Sequence, residues 1–371
     1  MFKADDIRNN KTRRNYNTVT IIPATFIKEK ANLYHYDPSF KPPWIDIFEA
    51  GFTAPEIWYI NFDKAFLISK GLLLNDAKII FLESAFFQRE YLNKLRAAPL
   101  LLKNIFVKPQ KKLSCIIPLM NQLSNNYYHW TAEHLTRIAL LLKHDSSFRD
   151  NYTILINETA APFVEDSLYY ILQWPRAKIK RFGAKEIAEV SNCVQISYSC
   201  LRNASSSNYY AYPPCIFKTL NELAFKNITR ANENLPHCFI ISRKNSNFRN
   251  LVNEDELLAR LSAFGLQSVQ VEKMDFAMQV RLFQQAKIII APHGAGLTNL
   301  TYCNKNTVVI ELYPVGRNFN QTSSFHQISK AIGLRHHILM ITSANENEDM
   351  WLDEIQINKV IEIYRMYELD L

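Results

Sequence analysis

The chain has 371 residues, and its 43 Lys+Arg against 35 Asp+Glu leave a formal net charge of +8. Hydrophobic residues make up 48% and charged residues 21%, a balance that supports packed cores in about two domains and excludes disordered, collagen-like and low-complexity polymers. Only 8 residues are Gly, about a third of the usual share, so a motif holding two of them within three residues marks a place where the backbone matters.

In chain order, the first segment, MFKADDIRNNKTRRNYN, is charged and polar and lacks the apolar stretch of a secretory signal. No apolar run approaches the roughly eighteen residues of a membrane span. A cytoplasmic location is expected. Short runs rich in Val, Ile and Tyr predict strands at Thr18–Ile22, Glu56–Phe62, Lys78–Leu82, Leu113–Leu119, Tyr152–Asn157 and Cys193–Tyr198. The polar stretch ANENLP after Arg230 reads as a linker. Beyond it, Cys238–Ser242, Gln267–Glu272, Lys287–Ala291 and Thr307–Leu312 read mostly as buried parallel strands, alternating with helices over Asn253–Phe264 and Asp275–Gln285. Asn253 stands where an N-cap is expected, with acids in the turn that follows. Met350–Leu371 predicts a terminal helix packing back on the first domain. The expected division is residues 1–230, 236–345 and 350–371.

Six Cys (115, 193, 200, 215, 238, 303) lie far apart with no CxxC pair and read as buried thiols in a reducing compartment. The basic surplus is scattered and forms no basic helix, so a nucleic-acid partner is not expected. A phosphate-bearing small ligand or peripheral association with an anionic membrane face accounts for it as well.

Two glycines fall in Ala291-Pro292-His293-Gly294-Ala295-Gly296-Leu297, directly after an expected parallel strand. Glycines there permit a tight turn and close approach to a ligand, and a following helix points its amides at a phosphate, with His293 as a further donor. A plain strand-to-helix turn without a ligand is the alternative. Glu311, at the end of the next strand, could accept the two hydroxyls of a ribose, or simply be a solvated strand-end acid. Upstream, ISRKNSNFR carries three cations and no acid, and between His237 and Ala344 there are 11 basic residues against 6 acidic. The planar forks of Arg243 and Arg249 suit the paired oxygens of a diphosphate.

In the first half, Asn126-Tyr127-Tyr128-His129-Trp130-Thr131-Ala132-Glu133-His134-Leu135-Thr136-Arg137 puts His129, Glu133 and Arg137 on one face if it is α-helical. An acid flanked by His and Arg can be held ionised as a general base, and the same spacing suits a surface ion pair. There is no P-loop, GxGxxG, GxSxG or HExxH motif and no Asp-x-Asp metal pair, so metal-independent chemistry without a cofactor is expected.

Taken together, NYYHWTAEHLTRI, ISRKNSNFRNLVNEDEL and DFAMQVRLFQQAKIIIAPHGAGLTNLTYCNKNTVVIELYP resemble glycosyltransferase family 61, in that family's order, over roughly residues 113 to 345. The resemblance implies an α/β chain of GT-B type, two Rossmann-like domains facing a cleft. It also implies an inverting transfer of a hexosyl or pentosyl group from a UDP-sugar to a hydroxyl. His293, Gly294, Ala295 and Gly296 fall on the family's HGAG block. Arg243, Arg249, Asn253 and Glu254 fall on its preceding Arg and Asn-Glu positions, and Glu133 on the acid after its Tyr-His. The expected roles are catalysis by Glu133 oriented by His129, donor binding by Arg243, Arg249, His293, Gly294, Ala295 and Gly296, and, from its place at a strand end, donor binding by Glu311. The expected acceptor is a glycan or glycolipid such as a cell-envelope polysaccharide or lipopolysaccharide, met at the inner face of the membrane. A non-catalytic nucleotide- or glycan-binding protein of the same fold is the alternative, and a nucleic-acid-binding module a third reading.

Overall fold

The computed structural model describes residues 17–28, 32–34, 43–68, 71–74, 108–202, 210–229, 233–315 and 324–368. The expected strand Lys78–Leu82 lies outside them. The chain is a mixed α/β protein that separates into two compact units, residues 1–24 with 55–199, and residues 25–54 with 200–371.

In the first unit the strands Lys111–Pro118, Thr153–Asn157, Ile179–Phe182 and Ala188–Ile196 pair in parallel. Antiparallel strands Ile57–Phe62 and Thr18–Ile22 extend the sheet at one side. Ile60, Leu67, Ile116, Leu155 and Val190 meet in its core. The helical segment after Lys111–Pro118 starts at Asn126, whose side chain accepts hydrogen bonds from the backbone N–H groups of Tyr128 and His129.

The second unit is a parallel sheet in the order Gln267–Val269, Cys238–Ile241, Ile288–Pro292, Val308–Val315, Arg335–Thr342, Asn32–Tyr34. Taking its five C-terminal strands by sequence, the order is 2-1-3-4-5, so the direction of winding reverses between Cys238–Ile241 and Ile288–Pro292. Such a reversal opens a crevice at the carboxyl ends of the two strands, where doubly wound sheets take their ligands. Along each strand alternate residues face opposite sides. Ile240, Ile290, Ile310 and Leu339 face the helices Glu254–Leu261 and Glu354–Glu368, meeting Leu257, Ile357, Val360 and Tyr364. The other face packs on the helices Phe276–Gln285 and Ser324–Ile332, for example through the edge-to-face pair Phe239–Phe283.

Three expectations are corrected. The terminal helix runs Glu354–Glu368 and joins the core of the second unit, its own apolar stripe completing that sheet face rather than returning to the first domain. The division falls between residues 199 and 200, not near 230. Helix Cys215–Asn227 belongs to the second unit, where Asn221 donates to the carbonyls of Thr301 and Cys303. Within ANENLP, Glu233 makes a two-pronged contact with Arg281, at 2.7 and 2.8 Å, and both flanks of the stretch belong to the second unit, so it is no linker between units. Strand Arg335–Thr342 and helix Ser324–Ile332 escape the sequence reading, because two histidines open an otherwise apolar strand.

The six Cys are free thiols, four of them buried. Among the described residues no helix is long and apolar enough to cross a membrane.

Candidate functional site

In the second unit, the loop after Cys238–Ile241 and the turn after Ile288–Pro292 flank the crevice, and they carry Arg243, Arg249 and the His293-Gly294-Ala295-Gly296 run. Arg243 is locked in place: Nε and Nη2 donate to the carbonyl of Phe248, and Nη2 also to Ser246 Oγ at 2.7 Å. Its remaining nitrogen, Nη1, lies so close to Gly294 that any Cβ there would collide with it. The backbone at Gly294 is extended, so glycine is required by this approach and not by a left-handed conformation. Gly296 is different, since a Cβ would meet Val271 and Ile241 at ordinary contact distance.

Burial, together with the neighbouring Arg249, lowers the Arg243 guanidinium to about 10, which leaves it cationic at neutral pH. Burial also lowers Arg249, partly offset by Glu348. Arg249 adopts φ +59°, a left-handed backbone that costs a non-glycine residue roughly 1 kcal/mol or more. Two desolvated guanidiniums in one loop are an arrangement that an anion of two or more charges would stabilise. The helix expected after the turn is the 3₁₀ segment Ala295–Tyr302; its N-cap Gly294 lies beside Arg243, and its first amides lie outside the helical ladder.

His293 is 5% exposed and packs against Tyr313 and Phe325. Its Nδ1 contacts Glu311 Oε1. The second carboxylate oxygen of Glu311 lies 2.9 Å from His336 Nε2, and His336 Nδ1 lies 2.7 Å from Ser329 Oγ. Glu311 is 2% exposed, with both oxygens engaged inside the fold, so the ribose role expected for it is withdrawn. Burial raises the Glu311 carboxyl, but the two histidines outweigh it and hold the group at about 2. His293 is lowered chiefly by burial, with Glu311 pulling it up and Arg249 and Arg243 pushing it down. His336 and Ser329 were missed in the sequence; the register pair Val309↔His336 puts His336 on the sheet face of Glu311, which no local pattern reveals.

Asn253 and Glu254 do not join this group. The Asn253 side chain makes no cap bond; it donates to the carbonyl of Leu352 and accepts from the Leu352 N–H, clamping the chain before the terminal helix. Glu254 is buried and accepts from Ser268 Oγ at 2.9 Å.

In the first unit, the expected α-helix is interrupted. Tyr127–His129 and Thr136–His144 are α-helical, and Trp130–Leu135 between them is a π-helix. Such bulges add a residue to the turn and recur at functional sites. His129 still reaches Glu133, Nδ1 to Oε1 at 3.0 Å. Arg137 does not flank the carboxylate: its Nε donates to the Glu133 backbone carbonyl, Nη1 to Ile196 O, and its guanidinium lies over the Tyr198 ring. The Glu133 side chain is 0% exposed and that of His129 is 16% exposed, so this is no surface ion pair. Trp130, stacked on His134, fixes the bulge by donating to Ser167 Oγ at 2.8 Å.

Residues 127–310, about half the chain, match the family model described as Glycosyltransferase 61. The chain is 32% identical over 99 residues to the EGF domain-specific O-linked N-acetylglucosamine transferase of Drosophila melanogaster, covering 26% of this chain and 18% of that protein. It is 32% identical over 111 residues to the protein O-linked-mannose beta-1,4-N-acetylglucosaminyltransferase 2 of Xenopus tropicalis (29% and 19%). With the beta-1,2-xylosyltransferase of Arabidopsis thaliana the identity is 37% over 71 residues (19% and 13%). The matched stretches thus span less than a fifth of the length of these relatives. Across residues 127–310, which hold the His129–Glu133 pair, the Arg243–Arg249 loop and the His293 turn, the chain is a member of glycosyltransferase family 61.

Proposed function

We propose that the chain is an inverting, metal-independent glycosyltransferase that moves a sugar from a UDP-sugar to a hydroxyl of a glycan acceptor. The observation that carries this reading is the meeting of Arg243, Arg249 and His293 around the HGAG turn at the reversal point of the second unit's sheet. In a single displacement the bond from the anomeric carbon to the diphosphate oxygen breaks as the acceptor oxygen attacks from the opposite side. The charge that grows on the diphosphate is met by the two guanidiniums, His293 and the first amides of the 3₁₀ helix. The relatives named as N-acetylglucosaminyl- and xylosyltransferases support the reaction class.

The acceptor hydroxyl must lose a proton to a base. In this proposal His129 takes it and Glu133 orients the ring, because the carboxylate is fully buried behind the partly exposed imidazole. This exchanges the roles read from the sequence. The proposal retains the GT-B arrangement expected from the resemblance, with acceptor chemistry in the first unit and donor chemistry in the second. A cell-envelope polysaccharide or lipopolysaccharide acceptor, a cytoplasmic location and peripheral membrane association belong to the same proposal.

The test is a panel of nucleotide sugars screened for thermal protection and for slow hydrolysis, with and without EDTA. A uridine nucleotide at a hundredfold excess over its Kd should stabilise the fold by about 2.7 kcal/mol. No protection by any uridine nucleotide would overturn the donor reading, and loss of turnover in EDTA its metal independence. Protection by UDP without turnover of any UDP-sugar would favour the non-catalytic alternative.

A further inference from the structure

Glu311 is the most buried charge near the HGAG turn, and it is not available to a ligand. Its two oxygens are divided between His293 Nδ1 and His336 Nε2, and His336 is in turn contacted at Nδ1 by the Ser329 hydroxyl. Strands Val308–Val315 and Arg335–Thr342, helix Ser324–Ile332 and the turn after strand Ile288–Pro292 place this Ser-His-Glu-His row on one face of the sheet. We propose that Glu311 is a positioning residue that directs His293 to gain a proton when the donor diphosphate binds, so that nucleotide binding is coupled to proton uptake. The inference rests on the donor reading above.

The chemistry follows from the hydrogen-bond inventory. An ionised carboxylate only accepts, so the proton on His293 sits at Nδ1 and the lone pair of the neutral ring at Nε2. The Ser329 hydroxyl can donate to His336 Nδ1, which puts the proton of a neutral His336 at Nε2, 2.9 Å from the second oxygen of Glu311, where it favours the ionised carboxylate.

Among the described residues, the charged and titratable neighbours of His293 come from two elements. Strand Val308–Val315 supplies Glu311 and Tyr313, and the loop after Cys238–Ile241 supplies Arg243 and Arg249. Helix Ser324–Ile332 presents the uncharged ring of Phe325, and His326 on the same helix neighbours His336, its imidazole pushed down to about 3 by burial. Before a ligand arrives, burial and the two guanidiniums keep the His293 ring neutral against the pull of Glu311. A diphosphate placed against Arg243 and Arg249 cancels their field and adds its own negative charge, so that the ligand and Glu311 together oppose the effect of burial on the ring. One proton from solvent then adds to Nε2, and the imidazolium donates a charge-assisted hydrogen bond to the phosphate.

Titration calorimetry of UDP binding in buffers of different ionisation enthalpy reads the proton directly. Above about pH 8, about two units past a second phosphate pKa near 6, the terminal phosphate is essentially fully ionised, so uptake there belongs to the protein. The full-length protein should take up close to one proton, with UDP affinity falling up to about tenfold per pH unit above the pKa of the bound ring. Glu311→Gln should abolish the uptake and flatten the pH profile. If that variant does not fold, nitrogen-15 histidine spectra of the unmodified protein decide instead: the Nδ1–H tautomer of His293 is expected without UDP and the doubly protonated ring with it. UDP binding without proton uptake, uptake retained in Glu311→Gln, or an Nε2–H tautomer would each overturn the proposal. Absence of any UDP binding would overturn the donor reading beneath it.

Discussion

Each unit holds a histidine paired through Nδ1 with a glutamate, and the two pairs are built differently. His129 and Glu133 are one turn apart in a single helical segment, and a π-bulge turns that segment so that Arg137 binds backbone rather than the carboxylate. His293 and Glu311 come from neighbouring parallel strands in the register Ala291↔Glu311, and the carboxylate is shared with a third strand through His336. The first pair has one ring partly open to solvent in front of one carboxylate. The second lies under two cationic side chains and is buried throughout. In the proposed reaction a carboxylate behind a histidine serves two tasks: orienting a base in the first unit, and tuning a donor to an anion in the second.

The largest expected effect separates these tasks. His129→Ala should lower kcat by about 10²- to 10⁴-fold, the usual worth of a general base, with UDP affinity unchanged. Glu133→Gln should cost less, because the ring remains. A deeper loss in Glu133→Gln than in His129→Ala, by single-turnover kinetics, would return the base to Glu133.

Next, Arg243→Ala should weaken UDP by about 1.5–3 kcal/mol, roughly ten- to a hundredfold, as expected for a charged hydrogen bond. Calorimetry showing unchanged affinity would remove Arg243 from the diphosphate site.

The third test sets the units apart by acid. Burial depresses His134 in the first unit and His293, His326 and His337 in the second, the last two to about 3 and about 4. A depressed histidine stabilises the fold above its unfolded pKa near 6.5 and loses that contribution as pH falls towards the folded value, at up to about 1.4 kcal/mol per group and pH unit. Glu311, held at about 2, adds to the loss below about 4.5. Hydrogen exchange should therefore show strands Val308–Val315 and Arg335–Thr342 losing protection before Lys111–Pro118 as pH falls below about 6. The opposite order would break the contrast between the units.

The smallest effects distinguish the two glycines. Gly294→Ala should lower UDP affinity by pushing Arg243 off its hydrogen bonds to Phe248 and Ser246, at a cost of about 1 kcal/mol in stability. Gly296→Ala should alter stability by no more than about 0.5 kcal/mol, because its Cβ finds ordinary contacts. Equal UDP affinity in Gly294→Ala and the unaltered protein would show that Arg243 does not depend on that approach.

Several features were legible because they are local. The strands Thr18–Ile22, Cys238–Ile241 and Ile288–Pro292, the helix near Asp275 and the contact of His129 with Glu133 follow from apolar runs and helical spacing. The glycine pair after Ile288–Pro292 likewise marked a real constraint, though at Gly294 alone. Strand Asn32–Tyr34 joins a sheet whose other strands begin two hundred residues later, and three residues at an edge leave no pattern to read. The sequence by itself determined the α/β alternation, the scarcity of glycine and the residues that mark the family, since each is written in neighbouring positions. Only the tertiary structure decided that Glu311 faces two histidines instead of a ligand, that Arg243 rests on Gly294, and that the terminal helix belongs to the second unit. Those outcomes depend on strand register and on which apolar faces meet, and both arise from contacts between residues far apart in the chain.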